Sequence, residues 1–284
     1  MKIGLVVEGG GMKCAYASGI LDAFLDEKIT FSYCIGVSSG SAITASFVAG
    51  QRDRNLRFFT VHTRDPRFYG ISNFLRTRNF FGLRYIYGDL TNAGGGDPLD
   101  YQAMLRNPAE YRLVATNAET GQAEYFRKED MRQDDYRLVM ASSAIPVVCE
   151  PIAVDGKFYY DGGISDGVPY MRALEEGCDK VVVLLSKPRG FVRPPQKFRW
   201  CYARALKKFP KVVEAIDRRH EVYNACLNRL WELEKAGRAF VFAPDGAIKI
   251  SKLRVVEKLE YGLYDAGMRD FAAQKEALRA FMEN

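Results

Sequence analysis

Three consecutive glycines, Gly9-Gly10-Gly11, stand between a short apolar run, Ile3–Val7, and an amphipathic helical pattern over 12–25. That order dictates strand, tight turn, helix, because glycine reaches backbone conformations other residues avoid while the apolar spacing turns helical. The signal then recurs along the chain. Tyr33–Ile35 is a second short strand stopped by Gly36, and Ser39–Ala49 reads as the following helix. Arg112–Thr116 and Ala123–Phe126 flank the turn Asn117-Ala118-Glu119-Thr120-Gly121 as a hairpin. Lys180–Leu185 has the unbroken apolar character of a buried parallel strand. Alternating elements of this kind predict an α/β fold with a layered core.

After Ser186 the pattern changes. Pro188, Pro194 and Pro195 interrupt regular structure, and Pro210 suits the first turn of a new helix. From there Val213, Ile216, His220, Tyr223, Leu227 and Leu230 recur at helical spacing and form one apolar stripe. Ala239–Ala243 and Ile248–Ile250 read as short strands, and Val255 onward as C-terminal helices. The 284 residues suit either one α/β domain or two smaller ones. The expected organisation is one domain over 1–284, with a motif-bearing core of about 1–186. A basic, lid-like linker and a helical C-terminal part fill about 187–284.

With 48% hydrophobic and 27% charged residues, a disordered or fibrous chain is excluded. No apolar stretch approaches the ~18 residues of a membrane helix, and the N-terminal apolar run is short for a signal peptide. A cytoplasmic protein is expected. The six cysteines are scattered, without a C-x-x-C pair or a zinc-like Cys/His spacing, so reduced thiols and no metal are expected.

Gly36-Val37-Ser38-Ser39-Gly40 is a G-x-S-x-G between a strand and a helix, the turn that lifts a serine hydroxyl clear of the backbone. The composition gives roughly 0.09 chance matches, so the motif needs its strand–helix context to count. The plainer reading of Ser38 is a helix N-cap. Glu8-Gly9-Gly10-Gly11-Met12-Lys13 presents backbone N–H groups at a helix start, which suits a phosphate or the oxyanion of acyl transfer. A dinucleotide fingerprint would need glycine where Cys14 stands, and no Gly-Lys-Ser/Thr is present, so no nucleotide cofactor is expected. Asp161-Gly162-Gly163 follows Phe158-Tyr159-Tyr160 and alone reads as a turn.

Taken together, these motifs resemble the patatin-like phospholipase family over roughly residues 3–186. Gly9-Gly10-Gly11-Met12-Lys13 matches its oxyanion loop, Gly36-Val37-Ser38-Ser39-Gly40 its nucleophile elbow, and Asp161-Gly162-Gly163 its D-G-G/A motif. Ala141-Ser142-Ser143-Ala144-Ile145-Pro146 is similar to the block ahead of that aspartate. Cys14 departs from the pattern, since the family usually carries glycine there. The resemblance implies a three-layer α/β/α sandwich with a mostly parallel central sheet. It also implies a lipid acyl hydrolase (phospholipase A, lysophospholipase or esterase) with Ser38 as nucleophile and Asp161 as general base. Gly9, Gly10, Gly11 and Met12 would form the oxyanion hole, with Gly36, Gly40, Lys13, Gly162 and Gly163 in support and no cofactor. A solvated aspartate is a poor base at neutral pH, so the pair must be sheltered from water.

Only His62 and His220 are present. The order Ser38, Asp161, His220 formally fits a Ser-Asp-His triad, but an α/β-hydrolase elbow follows several strands that 37 residues cannot hold. His220 also lies on its helix's apolar stripe, as a packing residue would, and His62 has no assigned role. A catalytically weak lipid-binding protein on the same fold is the other alternative.

The net charge of +6 conceals clustering. Segment 52–84 has eight arginines against two aspartates, and segment 187–219 eleven basic residues against two acidic ones, both interleaved with aromatics. Such segments suit peripheral contact with an anionic membrane, at the inner surface for a cytoplasmic protein, or else a solvated basic face. No motif supports nucleic-acid binding.

Overall fold

A computed structural model describes residues 1–248 and 257–283. Eight strands form one sheet among the described residues: β1 (Ile3–Val7), β2 (Tyr33–Val37), β3 (Glu110–Asn117), β4 (Ala123–Arg127), β5 (Ile152–Val154), β6 (Lys157–Asp161), β7 (Lys180–Leu184) and β8 (Ala239–Phe242). Strands β3, β2, β1, β7 and β8 run parallel, in that order across the sheet. β4, β5 and β6 pair antiparallel. This is the expected α/β fold with a mostly parallel sheet.

Side chains alternate between the two faces, as strand geometry requires. Leu5, Val7, Cys34, Leu113, Val182 and Leu184 pack under α1 (Ala15–Asp26), α2 (Ser39–Val48), α3 (Arg54–Thr60) and α6 (Glu257–Glu283). Val6, Ile35, Val37, Val114, Val181 and Val183 pack under α4 (Tyr170–Glu175) and α5 (Pro210–Lys235). Pro210 opens α5, and Ile216, Tyr223, Leu227 and Leu230 of the expected stripe are buried. The strand expected at 248–250 lies, beyond Ile248, outside the described residues, as do the first residues of the helical segment expected from Val255. Among the described residues no helix is long and apolar enough to cross a membrane.

The sheet's register brings distant motifs together. β4 lines one edge of β3 along 112–116, so β2 and β6 share the other edge end to end. Val37 pairs with Val114, and Asp161 pairs with Ala115, the next residue. Ser38 and Asp161 thus leave adjacent rungs of one strand. The β5–β6 hairpin that makes this possible turns at Asp155-Gly156, whose φ values of 47° and 80° suit a tight hairpin turn.

α6 crosses α1 at two glycines, where a Cβ at Gly19 would overlap the Tyr264 carbonyl and one at Gly267 the Tyr16 carbonyl. Beside this crossing Asp22 accepts from the Tyr264 hydroxyl at 2.9 Å, while its Oδ1 is buried without a partner. Burial pushes its carboxyl up to about 6. The unfolded chain therefore ionises this group first, and its contribution to stability falls as pH rises through that value. Asp22→Asn is expected to stabilise the protein by about 2–3 kcal/mol at pH 8 and by little at pH 4, read by urea unfolding at both.

Candidate active site

At the end of β2 the backbone turns sharply. Ser38 adopts φ 57° and ψ −136°, a region where any side chain is strained, and α2 starts at the next residue. A Cβ at Gly36 would stand 2.6 Å from the Gly40 carbonyl oxygen, and one at Gly40 2.5 Å from that of Val7. Both flanking glycines are therefore required by contact with neighbouring backbone. The Ser38 N–H donates to Ser142 Oγ at 2.9 Å, which ties the turn to the 141–146 block.

Ser38 Oγ donates to Asp161 Oδ2 at 2.6 Å, and the Gly163 N–H donates to Asp161 Oδ1 at 2.8 Å. Asp161 is 5% exposed and Ser38 partly buried, so the carboxylate is largely sheltered from bulk water. Its backbone is fixed as well, with the N–H donating to the Ala144 carbonyl and the carbonyl accepting from Thr116 Oγ1, both at 2.8 Å. A Cβ at Gly162 would overlap the Val114 carbonyl, so only glycine lets β6 end against β3 there.

The glycine loop lies directly over the elbow. A Cβ at Gly9 would stand 2.7 Å from Ser38 Cβ, and one at Gly10 2.6 Å from Ser186 Oγ. Glu8, buried, anchors the loop by accepting from the Ser186 N–H (2.6 Å), Lys187 Nζ (3.0 Å) and the Tyr223 hydroxyl (2.8 Å). Burial alone would raise its carboxyl, but Lys187 and these donors hold it below the ordinary value. The N–H groups of Gly10 and Gly11 donate to Ser39 Oγ at 3.3 and 2.9 Å. Cys14 Sγ lies 3.0 Å from the same oxygen, and burial pushes its thiol up to about 12. Met12 is buried, and Lys13 is partly buried with its ammonium pKa lowered, first by burial and then by Lys187.

Two cavities meet at Ser38. One, of about 90 Å³, is lined by Ala42, Ile43, Phe58, Phe59, Phe81 and Ile86 among other mostly apolar side chains. The other, of about 420 Å³, is lined by Asp161, Gly9, Lys187, Arg193 and Arg219 among others. Neither histidine lines them. His62 Nε2 lies 2.9 Å from Asp97 Oδ2, inside an ionic cluster with Arg54 and Arg57. His220 Nδ1 lies 3.1 Å from the Asp217 carbonyl, a contact within its own helix.

Glu8, Ser39, Ser142, Lys187 and Arg219 were not singled out for the site from sequence. Glu8 and Ser39 lie within the glycine-loop and G-x-S-x-G motifs and Ser142 within the 141–146 block. Lys187 and Arg219 end the basic segment 187–219, with no local signal that they reach the site. Of the first basic segment, Arg52, Arg57, Arg64 and Arg67 are paired with carboxylates, and Phe58, Phe59 and Phe68 are buried. Ile71, Phe74 and Leu75 there, and Val192, Phe198 and Trp200 in the second, are exposed.

A family model described as patatin-like phospholipase matches residues 5–174, and a model for a domain of unknown function, DUF6363, matches residues 209–283. The uncharacterized protein YjjU of Escherichia coli (strain K12) is 26% identical over 220 residues, 75% of this chain and 61% of that protein. The chain thus spans about three-fifths of that relative's length. The crystal structure of VipD from Legionella pneumophila aligns with 94% of this chain and 67% of its own, at 15% identity and a TM-score of 0.42.

Proposed function

The chain belongs to the patatin-like phospholipase family, and from that premise we propose that it is a serine acyl hydrolase cleaving lipid esters through a Ser38–Asp161 dyad. The observation that carries the proposal is the 2.6 Å hydrogen bond from Ser38 Oγ to Asp161 Oδ2 where the two cavities meet. Ser38 Oγ attacks the ester carbonyl while its proton passes to Asp161, forming a tetrahedral oxyanion. The amides of Gly10 and Gly11 stabilise that charge, the oxyanion taking the place the Ser39 hydroxyl now holds. Collapse expels the alcohol, which takes the proton from Asp161. Water then attacks the acyl-enzyme, giving its proton to Asp161. The bond from the acyl carbon to Ser38 Oγ breaks as Oγ takes that proton back and the acid leaves. The apolar cavity receives the acyl chain. The single-domain organisation over 1–284 belongs to the same proposal, supported by α5 and α6 covering opposite faces of the sheet.

A second reading, a lipid-binding protein with weak catalysis, is favoured by one observation: Ser39 Oγ already occupies both loop amides. A panel of p-nitrophenyl and phospholipid esters, run with wild type and Ser38→Ala, separates the two. Turnover that vanishes in Ser38→Ala supports the hydrolase, and turnover equal in both proteins sinks it.

His220→Ala is expected to keep kcat/KM within about threefold of wild type, because its ring is engaged with its own helix. Loss of activity in a folded His220→Ala protein argues for a triad instead. We also propose that the protein meets lipid surfaces through the exposed Ile71, Leu75, Phe198 and Trp200 beside the two basic segments. Co-sedimentation is expected to be stronger with anionic than with neutral vesicles, and equal binding removes the electrostatic part.

A further inference from the structure

The larger cavity carries positive charge that the dyad chemistry leaves unused. Lys187 is offset by Glu8 at 3.0 Å. The two arginines are placed differently. Arg219 rises from α5, close enough to Gly163 that a Cβ there would stand 3.2 Å from its Nη2. Arg193 comes from the segment between β7 and α5, with its guanidinium 4.1 Å from the centroid of the Tyr223 ring. In both, Nε is buried without a hydrogen-bond partner. Burial, and then the charge of Arg193, push the Arg219 guanidinium down to about 10. Asp161 attracts Arg219 through space, while its Oδ2 accepts from Ser38 and its Oδ1 from Gly163.

Two arginines that line one cavity, each with a buried and unpartnered Nε, call for an anion able to accept from both. Guanidinium forks match the paired oxygens of a phosphate. The placement adds a direction. With the acyl chain in the apolar cavity and the ester carbonyl at Ser38, the rest of the substrate extends into the cavity holding Arg193 and Arg219. We propose that Arg193 and Arg219 form a binding site for the phosphate of the substrate's headgroup, so that phosphate-bearing acyl esters are preferred over neutral ones. The proposal rests on the acyl-hydrolase reading for the ester but not for the binding of phosphate.

Binding is measured by calorimetry in Ser38→Ala, where turnover cannot interfere, with dihexanoyl phosphatidic acid, dihexanoylglycerol and inorganic phosphate as probes. The phospholipid is expected to bind about tenfold or more tightly than the diacylglycerol, and Arg219→Gln with Arg193→Gln to erase that preference. Inorganic phosphate binding as tightly as the phospholipid assigns the site to free phosphate and overturns the headgroup role. A preference that survives both substitutions overturns the proposal outright.

Kinetics supply a second readout. The ratio of kcat/KM for phosphatidic acid over diacylglycerol is expected to fall by about tenfold or more in Arg193→Gln, chiefly through KM, and Arg219→Lys to retain part of it. If both substrates lose activity equally through kcat, the arginines act by positioning Asp161 and the headgroup site is refuted. Should the Arg219→Gln protein not fold, Arg193→Gln alone decides, because Arg193 lies in an irregular segment outside the helix. Absence of hydrolysis in wild type defeats the hydrolase reading while the calorimetric arm still decides this one.

Discussion

Ser38→Ala is expected to lower kcat/KM for ester hydrolysis by about 10⁴-fold or more, since it removes the hydroxyl that donates to Asp161 Oδ2. Asp161→Asn is expected to cost about 10³-fold: the amide still accepts from the Ser38 hydroxyl but cannot take its proton. The two effects should not add, because both disable one proton-transfer unit. Ser38→Gly separates chemistry from stability. The φ of 57° that strains serine suits glycine, so this variant is expected to be inactive yet more stable by about 1 kcal/mol. Steady-state assays with a p-nitrophenyl ester and thermal unfolding of the same preparations check both halves. A Ser38→Gly protein less stable than wild type contradicts the claim that strain is held at the elbow.

Asp97→Ala is expected to be the most damaging substitution outside the dyad. Asp97 is 5% exposed and accepts from Arg57 Nε and Nη2 at 2.7 and 2.8 Å, with His62 Nε2 at 2.9 Å. Arg54, also 5% exposed, lies at 3.7 Å and lines the apolar cavity. Removing the carboxylate leaves a buried guanidinium without its counter-charge, which costs about 3–5 kcal/mol. For a chain of this size that lowers the midpoint of thermal unfolding by roughly 10 °C. Although burial opposes it, pairing with Arg57, His62 and Arg54 holds the Asp97 carboxyl well below the usual carboxylate range. Its stabilisation is therefore present above about pH 4 and fades as the pH falls further. Asp97→Asn, which cannot titrate, should flatten that acid limb in unfolding experiments from pH 3 to 7.

What sequence reveals here depends on how far apart the interacting residues lie along the chain. β1, β2 and β7 are legible because their apolar runs are buried on both faces, and Gly36 and Gly40 because neighbouring backbone leaves no room for a Cβ. The helix read from Met12 begins instead with a short 3-10 turn over Gly11–Cys14, because Gly11 takes φ +58° and the loop must bend over Ser38. The meeting of Ser38 with Asp161 depends on the register of β2 and β6 along β3, across 123 residues of sequence, and no local pattern encodes it. Asp155-Gly156 does carry a local hairpin signal, but a weak one, because β5 is only three residues long. The charge of segment 52–84 reads as a basic stretch, yet three of the carboxylates that pair it, Asp26, Asp97 and Glu257, lie outside it. Ser39 is hidden for another reason. Its hydroxyl at the loop amides is a contact between two motifs that sequence presents separately.

The dyad is tested most directly by labelling with a fluorophosphonate and locating the adduct by peptide mass spectrometry. Wild type and His220→Ala are expected to be modified at Ser38 at similar rates, and Asp161→Asn at a rate lower by about 10²-fold or more. Modification elsewhere than Ser38, or labelling that survives Asp161→Asn and disappears in His220→Ala, contradicts the Ser38–Asp161 pair.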